Sequence, residues 1–293
     1  MYHLNIKFME YNYFNDAKLL VLESNDKRSL YRLCEDQSIE PLKWAQEQKR
    51  LEVYPEHNLV VTDSAFYQIN GKQVMTHVEK DEVSFIPMKN NLLVKLDNFR
   101  ISLFWWNGHK VINTLPQCKE VYYNEDYVVA KTEKDSAVEF AGWIVYDDAG
   151  REVLRLQFSD CDVKLVGNFL IVDGLAHHDV YHLLTGWLMI EEQQRIVASP
   201  YDDFMMCCPI SGNLQVWSHG KWLEDFGEVE YFGLLSEDLG VFYTIQNGKY
   251  HLYTFDGKPF LNAIYPDGVD YVGYNADDMS TIIINNSKAR FFM

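Results

Sequence analysis

Residues 229–264 read VEYFGLLSEDLGVFYTIQNGKYHLYTFDGKPFLNAI, and the reading of this stretch decides the fold. Its β-branched and aromatic residues fall into runs at 229–234, 240–245, 250–255 and 259–264. The joints between them are Ser236-Glu237-Asp238, Gln246-Asn247-Gly248 and Asp256-Gly257. Asn-Gly and Asp-Gly tolerate the positive φ of tight turns, so short strand-forming runs joined this way read as an antiparallel hairpin meander.

Outward from this template, the same unit recurs at a spacing of about 32–42 residues, the range expected of propeller blades. Earlier units open near residues 10, 51, 83, 121, 163 and 196. Residues 35–50 carry weak strand signals and read as an irregular outer strand or one helical turn. Past the template, runs at 269–274, 281–285 and 290–292 leave the last unit one strand short. Residues 2–6 (YHLNI) read as the strand that completes it, because an unpaired edge invites aggregation. The expectation is an all-β fold, a β-propeller of four-stranded antiparallel blades forming one domain over residues 1–293. The repeat count gives about eight blades, or about seven if the first unit is not one, with closure by the N-terminal strand.

The segment NGKYHLYTFDGKPFLNAIY (247–265) resembles a unit of the WG-repeat family, whose units read NGKWGYID..GK.VI. FAGWIVYDDAGREVLRL (140–156) is similar, with Gly142-Trp143 in reversed order. The likeness covers these two units well and the others in outline, and it implies a repeat scaffold with no fixed chemistry. In size and acidity the chain also resembles bacterial polymorphic-toxin immunity proteins, a likeness of character without a shared motif.

Against 26 Lys and Arg stand 43 Asp and Glu in 293 residues, a formal charge of −17 and a pI near 4.9. That balance opposes nonspecific attraction to nucleic acid or anionic lipid and favours basic partners or cations. The N-terminus shows no basic segment followed by an apolar one, and no apolar run is long enough to span a membrane. Cys34, Cys118, Cys161, Cys207 and Cys208 are odd in number and lack a C-x-x-C pair, which predicts free thiols and a cytoplasmic location.

Strand alternation puts the turns between first and second strands on one rim. They read Asn15-Asp16, Glu56-His57, Asn124-Glu125-Asp126, Asp202-Asp203, Glu237-Asp238 and Asp277-Asp278, with Lys89 the one base among them. Asp and Asn favour turns by bonding their own backbone, which accounts less well for Glu56, Glu125 and Glu237. The predicted partner-binding set is therefore Glu56, Glu125, Asp126, Asp202, Asp203, Glu237, Asp238, Asp277 and Asp278, an acidic ring that focuses negative potential.

Bases recur just after the third turns, at Lys72, Lys110, Arg151, Lys221 and Lys258, where they read as charge balance. His178 and His182 share a strand face with Val180, but a zinc site needs three or four converging ligands, so neither metal nor cofactor is expected. Trp105, Trp106, Trp143, Trp187, Trp217 and Trp222 read as packing between blades. No P-loop, G-x-S-x-G, H-E-x-x-H or EF-hand pattern occurs.

These features predict a protein-binding propeller without catalytic residues, neutralising a basic toxin or another basic protein. The alternatives are a carbohydrate-active enzyme with an axial carboxylate site and a general interaction scaffold. A carboxylate of raised pKa in a closed pocket would favour the enzyme, and an open, ionised acidic face would favour a protein partner.

Overall fold

The structure is a computed structural model. It describes residues 10–77, 81–132, 141–157, 161–173, 178–209, 213–223, 226–260, 267–275, 280–285 and 288–292. Contacts divide the chain into two compact units, Met1–Ser159 and Asp160–Met293.

In the first unit, sheet I comprises β1 (Glu10–Phe14), β2 (Leu19–Ser24), β3 (Lys27–Leu33) and β4 (Ile39–Pro41). Sheet II comprises β5 (Glu52–Tyr54), β6 (Leu59–Val61), β7 (Ala65–Tyr67) and β8 (Gln73–Thr76). Sheet III follows with β9 (Glu82–Pro87), β10 (Leu92–Asn98), β11 (Arg100–Trp106) and β12 (Val111–Tyr123). Strand β12 does not stop at the sheet edge. Beyond Cys118, which faces Ile101 on one side and Thr132 on the other, it pairs with β13 (Tyr127–Thr132). That sheet goes on through β14 (Gly142–Asp147) and β15 (Glu152–Leu156), so β9–β15 form one seven-stranded sheet, whose two halves, either side of the mid-strand shift in β12, are labelled sheets III and IV.

The second unit is again built of antiparallel meanders. Sheet V holds β16 (Asp162–Val166), β17 (Phe169–Asp173), β18 (His178–His182) and β19 (Trp187–Ala198). The far half of β19 continues into β20 (Phe204–Pro209), β21 (Gln215–Ser218) and β22 (Lys221–Trp222), so β16–β22 form one seven-stranded sheet, whose halves are labelled V and VI. Sheet VII has β23 (Tyr231–Ser236), β24 (Val241–Gln246) and β25 (Lys249–Thr254), and sheet VIII has β26 (Tyr271–Asn275), β27 (Ser280–Asn285) and β28 (Lys288–Phe292). Among the described strands every pairing is antiparallel between sequence neighbours, so each sheet is an up-and-down meander.

The template stretch forms as its turns dictate. Asn247 and Gly248 both take positive φ (51° and 69°) between β24 and β25, the geometry of a tight hairpin. Pro259 makes one isolated bridge to Tyr253, and the rest of the expected fourth strand, residues 261–264, lies outside the described residues. The ambiguous segment 35–50 contains both of its expected forms, the three-residue β4 and a single 3-10 turn at Lys43–Ala45. The expected closing strand, residues 2–6, lies outside the described residues.

Strands buried on both faces explain the continuous apolar runs. In sheet II, Val60 faces the core shared with sheet I, beside Leu19, Leu30 and Val53. Its neighbours Leu59 and Val61 face the core shared with sheet III, beside Val94, Phe104 and Trp106. In sheet III, Leu93, Leu103 and Trp105 point the other way, onto Val128, Ala130 and Ile144 of sheet IV. Successive side chains alternate sides, so a sheet packed on both faces needs apolar residues at every position. In the second unit, Phe169 and Val180 meet Met205 and Cys207, and Phe204 and Met206 meet Phe232 and Phe242. Leu252 meets Val272 and Ile283. Within each unit, consecutive sheets therefore stack face to face in chain order.

Candidate binding rim

The turns that carry the acidic residues are built by their first residue. In the first unit, Asn124 Oδ1 accepts from the Asp126 and Tyr127 amides at 3.0 and 2.8 Å. In the second, buried Ser199 accepts from Tyr201 and Asp202, and buried Ser236 accepts from Leu239. A short polar side chain that ends an inner strand can satisfy the amides two and three residues on, which closes a compact turn. Glu125, Tyr201, Asp238 and Leu239, within these turns, are left to face solvent.

Neighbouring first turns meet in the first unit and influence each other electrostatically in the second. In the first, the Lys89 amide donates to Glu125 O at 2.9 Å, and Lys89 Nζ pairs with Asp126 at 3.2 Å. Lys89 therefore offsets part of the acidic charge there, while Glu56 stands exposed on the 3-10 turn Pro55–His57. In the second unit, the charge of Asp202 reaches the Glu237–Asp238 turn. Partial burial first, then the charges of Asp238 and Asp202, push the Glu237 carboxyl above its usual range. Asp238 and Leu239 beside it are exposed, so the group sits on open surface. Asp277 and Asp278 lie outside the described residues.

Asp203 differs from the rest of the predicted set. Its Oδ1 accepts from Trp217 Nε1 at 3.2 Å and lies 2.9 Å from His182 Nε2, and the side chain is 15% exposed. The imidazole packs edge-on to Trp217, and its Nδ1 lies 3.3 Å from the Thr185 hydroxyl. Asp203 is thus a core acceptor that ties sheet V to sheet VI. The same arrangement takes His182 out of the metal-ligand pair, and His178 lies beside Asp173 instead. Among the described residues no group of three or more His, Cys, Asp or Glu side chains converges.

Three features were not read from the sequence. Antiparallel counting puts third turns at the same end of each sheet as first turns, and the contacts bear this out. Asn58 Nδ2 donates to Gly108 O at 2.8 Å, and Asn91 Nδ2 donates to Asp148 O at 2.9 Å. Lys72, Lys110, Lys221 and Lys258, all exposed, therefore share the acidic end, two strands out from the first turns, while Arg151 pairs with Asp147. Second, the acidic turns of the second unit carry exposed apolar residues, Tyr201 at 83% and Leu239 at 45%. Third, Trp187 opens β19 and is 76% exposed, unlike buried Trp105, Trp106 and Trp143. The signal available for Tyr201 was its place inside a Ser-Pro-Tyr-Asp-Asp turn, where an aromatic ring has no core to enter.

The chain matches no family model and no curated protein. Among solved structures it is similar to a eukaryotic initiation factor, at 10% identity over 89% of this chain and 88% of that one, with a TM-score of 0.37. Hsv2 of Kluyveromyces lactis gives 10% identity over 98% of both chains and a TM-score of 0.32. KlAtg21 in complex with the coiled coil of AgAtg16 gives 9% identity, 84% and 94% coverage, and a TM-score of 0.30. Likeness at these scores carries no inference about fold or role.

Proposed function

We propose that the chain is a protein-binding β-propeller that engages a basic protein partner through its acidic first turns. The proposal includes a ring of about eight blades closed by residues 2–6 and a WG-repeat-like origin for the blades. The observation that supports it best is the run of exposed turn residues in the second unit, Tyr201, Asp238 and Leu239, with the half-buried carboxylates of Asp202 and Glu237 close enough to feel each other's charge. Charge of one sign steers a basic partner, and an exposed tyrosine supplies the kind of anchor that dominates interface energy. An immunity protein against a basic toxin is one form this role takes. Catalysis finds less support, because the raised carboxyl at Glu237 lacks the enclosing pocket that a general acid needs to hold its proton at neutral pH.

Association kinetics test the reading. Glu237→Lys with Asp238→Lys changes the acidic end of sheet VII, and Glu228→Lys with Glu230→Lys changes the strand-start end of the same sheet. Both double variants shift net charge equally. With a partner isolated by pull-down, stopped-flow mixing should show slower association for the first pair and little change for the second. Added salt should slow the wild-type association rate more than it speeds dissociation. Equal slowing by both pairs would leave only a net-charge effect, and no slowing by the first would sink the rim.

A further inference from the structure

At the rim of the first unit, the turn after β1 and the 3-10 turn after β5 enclose a cleft of about 670 Å³. Its floor is Phe14, Ala17, Val53 and Ile69, which cap the core between sheets I and II. Its lips are Asp16 and Glu56, both exposed. Among the described residues no lysine or arginine lines it. Lys18 ends the same turn as Asp16 without entering the lining, and His57 Nε2 lies 3.8 Å from Glu56 Oε1.

The chemistry of this lining selects among ligands. An anion would meet two carboxylates and be repelled. A purely apolar group would fill the floor but strip water from the carboxylates without replacing it, which is costly. A long cationic side chain meets both demands, laying its methylene stem on the apolar floor with its charged head between the lips. The volume falls within the range of about 300–1,000 Å³ typical of ligand sites, with room for a side chain and flanking backbone.

We infer that this cleft receives a lysine or arginine side chain presented by a protein partner. The inference rests on the reading of a basic partner and names where one of its side chains is held. Sheets VI and VII play no part in it, so the kinetic test above and the test below can fail separately.

The probes are N-acetyl-lysine amide, N-acetyl-arginine amide and the uncharged N-acetyl-norleucine amide, titrated against the full chain while the Ile69 methyl signal is followed by NMR. The two basic amides should give saturable shifts at Ile69, with norleucine amide at least about fivefold weaker. Asp16→Asn with Glu56→Gln, isosteric and exposed, should weaken the basic amides by a similar factor while leaving the melting temperature unchanged. Ala17→Leu, which fills the floor without altering charge, should remove the shifts. No shift at Ile69, equal shifts from norleucine amide, or shifts indifferent to the double substitution would each overturn the inference.

Discussion

At the scale of single residues, the acidic turns show how one residue type serves two purposes in one position. Asp202 and Asp203 are adjacent, yet Asp203 turns inward to Trp217 and His182 while Asp202 stays at the surface near Glu237. The sequence could not separate them, because the partners of Asp203 lie 14 and 21 residues away on other strands. Glu237 yields a pH-dependent expectation. Its folded-state carboxyl is raised, so the folded chain holds that proton more tightly than the unfolded chain does. The stability it supplies is present below the ordinary glutamate range and is lost as pH rises through the raised value. Glu237→Gln removes this loss. The variant should therefore be more stable than wild type at pH 7 and equal to it at pH 3, by urea denaturation. Exposure and solvent screening hold the gain to a few tenths, about 0.2–0.5 kcal/mol. A difference that persists at pH 3 would trace the effect to packing instead of charge.

At the scale of elements, the meander was legible because turn chemistry and two-sided burial agree. Runs such as Leu92–Leu93–Val94 are apolar at every position since sheet III is covered on both faces. Two things were not legible. Strand β4 is three exposed residues after a positive-φ Gln37, with no apolar pattern to announce it. Strands β12 and β19 run unbroken through what reads as a join, because a bulge leaves no compositional mark. The cleft was half visible: Asn15-Asp16 and Glu56 were read as equivalent turns, but their closeness depends on how sheets I and II pack. The third turns test packing directly. Gly71 and Gly108 occupy matching positions with φ of +91° and +85°. A Cβ on Gly71 would lie 2.6 Å from Trp44 Nε1, in the 3-10 turn that covers it, whereas one on Gly108 would meet nothing within 4 Å. Gly108→Ala should cost only the left-handed backbone penalty, about 1–2 kcal/mol. Gly71→Ala should cost more, since Trp44 must also shift, and its melting temperature should fall further. Equal losses would mean that Trp44 yields freely.

At the scale of the whole molecule, a charge of −17 acts on stability as well as on partner choice. Acids outnumber bases by 43 to 26, and described ion pairs such as Lys27–Glu47 and Arg155–Glu152 lie in exposed or half-exposed positions. Two opposing effects of salt follow. Screening weakens exposed pairs, which supply little stability in any case. It also relieves the self-repulsion of the surplus carboxylates, which grows as the chain compacts. The second effect dominates when the imbalance is this large, so sodium chloride raised from 10 to about 150 mM should raise the melting temperature, by on the order of 2 °C. The rise should level off beyond that concentration, since the Debye length has already shortened to about 8 Å. The same titration near the pI, where net charge is small, should show no such rise. A melting temperature that falls with salt at pH 7 would mean that the ion pairs outweigh the surplus. The acidic surface would then be organised for stability and would lose its claim as a steering field.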